Sequence, residues 1–307
     1  MPAVLTAPET LTVRPLVEGL LGTPPEFLGN HIPEGPAFDR NGLLHFTSAV
    51  PDDDGYTVFR LEADDETVTP VVHHPQFGLA SMAFHRDGRI FLADLFGGPD
   101  GAGRIAVMND QGAVETVVDE FEGTPIMPDD LIFDAEGRLY YNDFQGRAFR
   151  PTGRVIRLDP DGSQHLVFEG LAMPNGIALS PDASRLWVTE HALNRLVSFS
   201  LDPETPGADA HVHAHFSGGL ADSTTIDSEG NIYQAFFGGG RFEILDHKAN
   251  LRAVLRPPGE IADYPNTTHI AIRPGTRDGY FVAGGPRGIG VFAFTAFADA
   301  LTPFSHT

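Results

Sequence analysis

An all-β, six-bladed β-propeller is the fold this sequence predicts, on three observations. Gly and Pro account for 34 and 25 of 307 residues, a turn-rich composition that suits many short strands better than long helices. Six segments run as apolar strand, short turn with Asp or Gly, second apolar strand. They also keep one phase: the last apolar residue before each turn falls at 38, 84, 133, 179, 226 and 272, in steps of 46, 49, 46, 47 and 46. A period of about 40–50 residues built from four short strands is that of a propeller blade. Helical repeats would show a 3.6-residue period, which is absent, and a pair of β-sandwiches would not hold one phase through six copies.

The first unit is Pro36–Phe38, the turn Asp39-Arg40-Asn41-Gly42, then Leu43–Phe46. The second is Met82–Phe84, His85-Arg86-Asp87-Gly88 and Ile90–Leu92; the third is Leu131–Phe133, Asp134-Ala135-Glu136-Gly137 and Leu139–Tyr141. The fourth turns at Ser180-Pro181-Asp182 between Ile177–Leu179 and Arg185–Val188. The fifth turns at Asp227-Ser228-Glu229-Gly230 between Thr224–Ile226 and Asn231–Tyr233. The sixth turns at Arg273-Pro274-Gly275 between Ile270–Ile272 and Gly279–Val282, and Ile289–Phe294 is expected as a closing strand. Residues 1–307 are expected to form one domain, with 1–30 supplying an outer strand and a lid.

Composition narrows the function. Lys and Arg number 20 against 42 Asp and Glu, a formal charge of −22, and Lys248 is the one lysine. That balance repels nucleic acid and anionic membranes and leaves no basic stripe. No apolar run approaches the ~18 residues of a membrane helix, and the N-terminus lacks a secretory pattern. The absence of cysteine removes disulfides, thiolate nucleophiles and Cys-ligated metals, and fits a cytoplasmic protein. There is no G-x-S-x-G elbow and no P-loop.

In a propeller the innermost strands line the channel, so equivalent positions from all repeats converge near the axis. Four residues before each anchor stand Glu34, Ala80, Asp129, Asn175, Asp222 and Thr268. Carboxylates crowded at one axis repel each other unless a cation sits between them. Oxygen donors without His or Cys suit Ca²⁺, which takes 6–8 of them, with Mg²⁺, Mn²⁺ or Zn²⁺ as substitutes. Two residues earlier come Ile32, Gly78, Met127, Met173, Leu220 and Asn266, a set able to form an apolar collar. His269 directly follows the sixth channel position and is a candidate for the pocket. His211, His213 and His215 share one strand face, but their polar flank marks an exposed outer strand.

These residues resemble a known family. Glu34-Gly35-Pro36, Pro128-Asp129-Asp130, Pro174-Asn175-Gly176 and Asp222-Ser223, in order and in phase, are similar to the motifs of the SMP-30/gluconolactonase/luciferin-regenerating enzyme family. Trp187-Val188-Thr189-Glu190 and Asn142-Asp143-Phe144 resemble its bacterial drug-responsive lactonases. The resemblance implies a six-bladed propeller with a catalytic Ca²⁺ held by Glu34, Asp129, Asn175 and Asp222, and adds Ser223 as a further contact. It implies proton transfer by Asp222, with Asp129 as the competitor. Sugar-lactone relatives carry Arg where this chain has Met127, and Glu where it has Arg147. Both departures weaken the case for a sugar lactone, and Met127 favours a less polar one, its non-reacting part buried by Met127 and Met173 of the collar and by nearby Phe144, Phe236 and Phe237.

The expected activity is therefore calcium-dependent opening of a small-molecule lactone to a hydroxy acid. The rivals are a calcium-dependent phosphotriester hydrolase, a non-catalytic calcium or ligand-binding propeller, and a protein-interaction propeller, against which the in-register carboxylates argue.

Overall fold

The computed structural model describes residues 8–22, 31–49, 55–62, 66–74, 78–98, 101–109, 111–202 and 204–307. The turns form as their chemistry dictates. Asp39 Oδ1 accepts the N–H groups of Asn41 and Leu43, both at 2.9 Å. Asp134 Oδ1 accepts those of Glu136 and Arg138 at 3.0 and 2.9 Å. Asp227 Oδ1 accepts those of Glu229 and Asn231 at 3.1 and 2.9 Å. One side chain thus folds the chain back, and the glycine behind it takes a left-handed φ, +80° at Gly137 and +81° at Gly230.

The result is all-β; the helical segments among the described residues are short 3₁₀ turns at His191–Leu193, Ile261–Asp263 and Phe304–His306. Four antiparallel sheets have four strands each, starting from the inner strands Glu34–Phe38, Leu79–Phe84, Pro128–Phe133 and Pro174–Leu179. Glu120–Phe121 and Thr124–Pro125 form a small two-stranded hairpin, and the remaining strands form one continuous nine-stranded sheet. It contains two antiparallel runs, one from Leu220–Ile226 to Leu251–Leu255 and one from Asn266–Ile272 to Gly288–Thr295. Arg14–Leu20 adds to the second run as its outermost strand, antiparallel to Gly288–Thr295. Each inner strand packs against the next, and Asn266–Ile272 packs against Glu34–Phe38, so the strands close around an axis in a β-propeller arrangement.

The sequence expects six separate four-stranded sheets, whereas here two of the repeats share a sheet. A single residue pair, Phe236 with Thr267, joins the two runs. The Thr267 hydroxyl lies 3.0 and 2.9 Å from the carbonyl oxygens of Phe236 and Arg241, stitching the runs together beside the axis. Residues 1–7 and 23–30, part of the segment expected to supply a lid, fall outside the described residues.

Apolar side chains pack between neighbouring sheets. Phe91 and Ile105 of the second sheet meet Phe133 and Tyr141 of the third. Tyr140 and Val155 of the third meet Ile177 and Val188 of the fourth. Trp187 and Leu196 of the fourth meet Ile226 and Ile232 of the next repeat. Among the described residues no helix is long and apolar enough to cross a membrane.

Candidate functional site

All six inner strands carry a β-bulge near their N-terminal ends. Their register shifts between Glu34 and Ala37, Leu79 and Ser81, Pro128 and Leu131, Pro174 and Ile177, Ala221 and Thr224, and Thr267 and His269. An extra residue in a strand re-aims side chains that would otherwise alternate strictly. Glu34, Asp129, Asn175, Asp222 and Ser223 all stand at or inside these bulges.

Their electrostatics show that the acids sense one another. Burial is the largest influence on Glu34 and pushes its carboxyl well above the usual range; repulsion from Asp222, Asp129 and Asp130 adds to it, and a hydrogen bond from Thr268 opposes it. Asp129 is raised well above its ordinary value by burial, then by Asp222 and Asp130. Burial pushes Asp222 up to about 8, against the pull of the Ser223 N–H and the Asn175 side chain. Asp130 faces different partners, accepting from Ser81 Oγ at 2.7 Å and the Leu131 N–H at 2.9 Å.

A second layer fixes the bulges. Asn142 Oδ1 accepts the N–H groups of Asp129 and Asp130 at 3.1 and 3.0 Å, while its Nδ2 donates to the Asn175 carbonyl. Thr189 Oγ1 accepts the Gly176 N–H and donates to the Asp222 carbonyl, both at 2.7 Å. Gln234 Nε2 donates to the Asp222 carbonyl at 3.0 Å. Each group comes from the second strand of a repeat and ties down the bulge beside it. Sequence reasoning placed Asn142 and Thr189 only within resembling stretches and assigned none of the three this role; the available signal is a polar residue within a largely apolar second strand.

Toward the mouth, buried acids clamp the collar. Asp143 accepts the Met127 N–H at 2.9 Å and pairs with Arg154 at 2.6 Å. Glu190 accepts the Ala172 N–H at 2.9 Å and pairs with Arg195. Met173 is held at φ +53°, a left-handed conformation that costs a non-glycine residue ~1–3 kcal/mol. Phe144 N–H donates to the Met127 carbonyl at 2.7 Å, and His191 N–H to the Met173 carbonyl at 2.9 Å. The rings of Phe144 and His191 lie 5.6 Å apart, and those of His191 and Phe237 6.5 Å apart, so three consecutive repeats build an aromatic arc. Arg147 is exposed on the loop beyond Phe144, its guanidinium donating to the Gly146 carbonyl at 2.7 Å.

His269 lies on the other side of the acids. It lines a cavity of about 540 Å³ with Asp130, Thr224, Met82, Ile177 and Ile270, bordered by the C-terminal residues around Phe304. Burial lowers its pKa, and its Nδ1 is buried without a partner. The His211–His215 strand is the outermost of its sheet, and His213 packs on Trp187 at 4.3 Å.

Whether these residues suit a cation can be judged from the donors themselves. Among the described residues no three acidic or imidazole side chains are gathered into a ready-made metal cluster. The buried acids at the bulges are instead oxygen donors that resist ionisation in one another's company, and Asn175 Oδ1 is buried with no hydrogen-bond partner. A divalent cation answers both conditions, neutralising the repulsion and accepting the free amide lone pair. The donor chemistry fits a hard metal ion.

Comparison with known proteins follows the same lines. The family model described as "SMP-30/Gluconolactonase/LRE-like region" matches residues 32–268. The lactonase drp35 of Staphylococcus saprophyticus is 33% identical over 249 residues, covering 79% of this chain and 75% of its own. The drp35 lactonase of Staphylococcus aureus is 29% identical over 250 residues, with the same coverage. Among solved structures, a gluconolactonase from Xanthomonas campestris superposes with a TM-score of 0.73 at 18% identity, covering 95% of each chain. Regucalcin, a calcium-binding protein from Agrobacterium tumefaciens, superposes with a TM-score of 0.72 at 20% identity, covering 97% of this chain and 99% of its own.

Proposed function

Because the chain belongs to the SMP-30/gluconolactonase/LRE-like family, we propose that it is a metal-dependent hydrolase that opens a lactone to a hydroxy acid. The observation that carries this reading is the set of mutually repelling buried acids at the bulges, beside an unpartnered Asn175 oxygen. The similarity to proteins named lactonases supports it. In this reading residues 1–307 are one six-bladed domain, the nine-stranded sheet counting as two blades joined through Phe236 and Thr267. The lack of cysteine supports a cytoplasmic setting.

Glu34, Asp129, Asn175, Asp222 and Ser223 would hold the ion, Ca²⁺ by preference, with Mg²⁺, Mn²⁺ or Zn²⁺ as substitutes. Once bound, such an ion supplies Lewis-acid stabilisation of negative charge on the lactone carbonyl oxygen. Asp222 is the first candidate to take the proton of the attacking water and return it to the ring oxygen as the ring opens, with Asp129 the second. The bulges and the Asn142 and Thr189 bonds hold these carboxylates in place. Met127, Met173, Phe144 and Phe237 exclude water and bury the non-reacting part of the substrate, which favours a lactone less polar than a sugar lactone.

The test is proton release from a panel of aromatic, aliphatic and sugar lactones, after stringent chelation and again after calcium is restored. Activity lost and regained, highest on the less polar lactones, is the expected outcome. Activity indifferent to chelation would remove the ion from the reaction. A preference for phosphotriesters with matched leaving groups would replace the lactonase reading. Tight metal binding with no turnover would leave a binding protein.

A further inference from the structure

One position at the mouth, recurring from repeat to repeat, holds a polar side chain where its equivalents are apolar. At the first loop position after the second strand, the repeats place Leu95, Phe144 and His191, each donating its backbone N–H to the collar residue of its own repeat. Phe237 stands beside the collar residue Leu220, its strand partner. Three of these residues are apolar and His191 is not.

His191 is half-buried, and its ring is fixed at one end. Its Nδ1 lies 3.0 Å from the Ala221 carbonyl oxygen. A carbonyl oxygen only accepts, so in the neutral ring Nδ1 carries the hydrogen and Nε2 the lone pair. Burial lowers the pKa of the ring and keeps it neutral. Asn194, three residues on, accepts the Ala221 N–H at 2.7 Å, so the 3₁₀ turn His191–Leu193 grips Ala221 at both ends of the residue. Among the described residues nothing donates to Nε2. Phe144 crosses the imidazole at 71° and Phe237 at 50°, so the ring sits between aromatic neighbours. A residue needed only to grip Ala221 would use one nitrogen. The second nitrogen is a bare acceptor in an otherwise apolar arc.

We infer that His191 determines specificity: its Nε2 accepts a hydrogen bond from an O–H or N–H on the non-reacting part of the substrate, selecting lactones whose apolar substituent carries such a donor. This rests on the lactonase reading and names the substrate class more closely. A half-buried acceptor that must give up water to bind substrate favours a ligand that replaces that hydrogen bond.

The probe is a matched pair of lactones, one bearing a hydroxyl on its substituent and the other the corresponding methyl ether. The wild-type protein, loaded with calcium, is expected to prefer the hydroxyl compound by about tenfold in kcat/KM. His191→Asn keeps an amide N–H where Nδ1 stands and has nothing in place of Nε2, so the grip on Ala221 survives while the acceptor goes. In this variant the preference should fall to about one, with melting temperature and calcium affinity at wild-type values. His191→Gln reaches the Nε2 position and should restore part of the preference. A wild-type ratio near one, or a ratio that survives His191→Asn, overturns the inference. If wild type hydrolyses neither compound, the lactonase reading falls separately. The relative affinity of the same pair, measured by calorimetry on wild type and His191→Asn, then decides the role of His191.

Discussion

The carboxamide of Asn142 supports two ligand-bearing bulges at once. Its oxygen holds the N–H groups of Asp129 and Asp130, and its nitrogen holds the Asn175 carbonyl, so two ligand-bearing bulges in neighbouring repeats depend on one group. Replacing it with Leu leaves three backbone groups buried and unpaired, while the strand it sits in keeps its apolar packing. Asn142→Leu should weaken calcium binding roughly 10–100-fold, the usual cost of losing a partner that orients a metal ligand. Titration calorimetry measures this directly, and an unchanged affinity would mean that the bulges hold themselves. Glu34, Asp129, Asn175 and Asp222 were legible in the sequence as candidates because they recur at one offset from a counted anchor, whereas Ser223 came only from the family resemblance. Asn142 and Thr189 were not legible in their role, because they lie on the second strand, where the repeat carries no fixed polar signature. His191 was missed for a different reason: it is the exception at its position, and an exception has no period to count.

At the level of elements, the inner strands approach one another backbone to backbone, and Gly176, next to the candidate ligand Asn175, stands at one such approach. A Cβ there would meet Thr224 N at 2.5 Å and the Asp222 carbonyl oxygen at 2.8 Å, both main-chain atoms that cannot swing aside. Gly176→Ala should therefore push the strand Leu220–Ile226 away from Pro174–Leu179 and carry Asp222 with it. The expected loss is ~1–3 kcal/mol of stability, in the range of overpacking, together with weaker calcium binding. Chemical denaturation and a calcium titration of the same variant check both, and full calcium affinity would show that Asp222 does not move with its strand. The strands themselves were legible because Asp-x-x-Gly turns and apolar alternation each have a local cause. The bulges were not, since a bulge needs a partner strand to be defined, and a single strand read alone alternates without interruption.

At the scale of the whole molecule, the acids that would share an ion lie far apart in the chain, from Glu34 in the first repeat to Asp222 in the fifth. They meet only when the inner strands close, with Arg14–Leu20 laid beside Gly288–Thr295 to complete the last sheet. The repeat count made that closure legible, but not the Phe236–Thr267 pair that merges two repeats into one sheet, because it depends on how two turns meet in space. An ion that binds the closed molecule and not the unfolded chain stabilises the fold by mass action, by ~2.7 kcal/mol at a hundred times its Kd. For a chain of this size that corresponds to roughly 5 °C in melting temperature. Calorimetry of chelated protein, before and after calcium, should show this gain. The formal charge of −22 offers a competing cause, since calcium could also stabilise by screening an acidic surface. Salt separates the two. At 1 M the Debye length is about 3 Å and surface repulsion is already screened, whereas buried acids are screened far less. The calcium gain should persist in 1 M potassium chloride if the ion sits among the bulges; a gain that disappears there would place its effect on the surface.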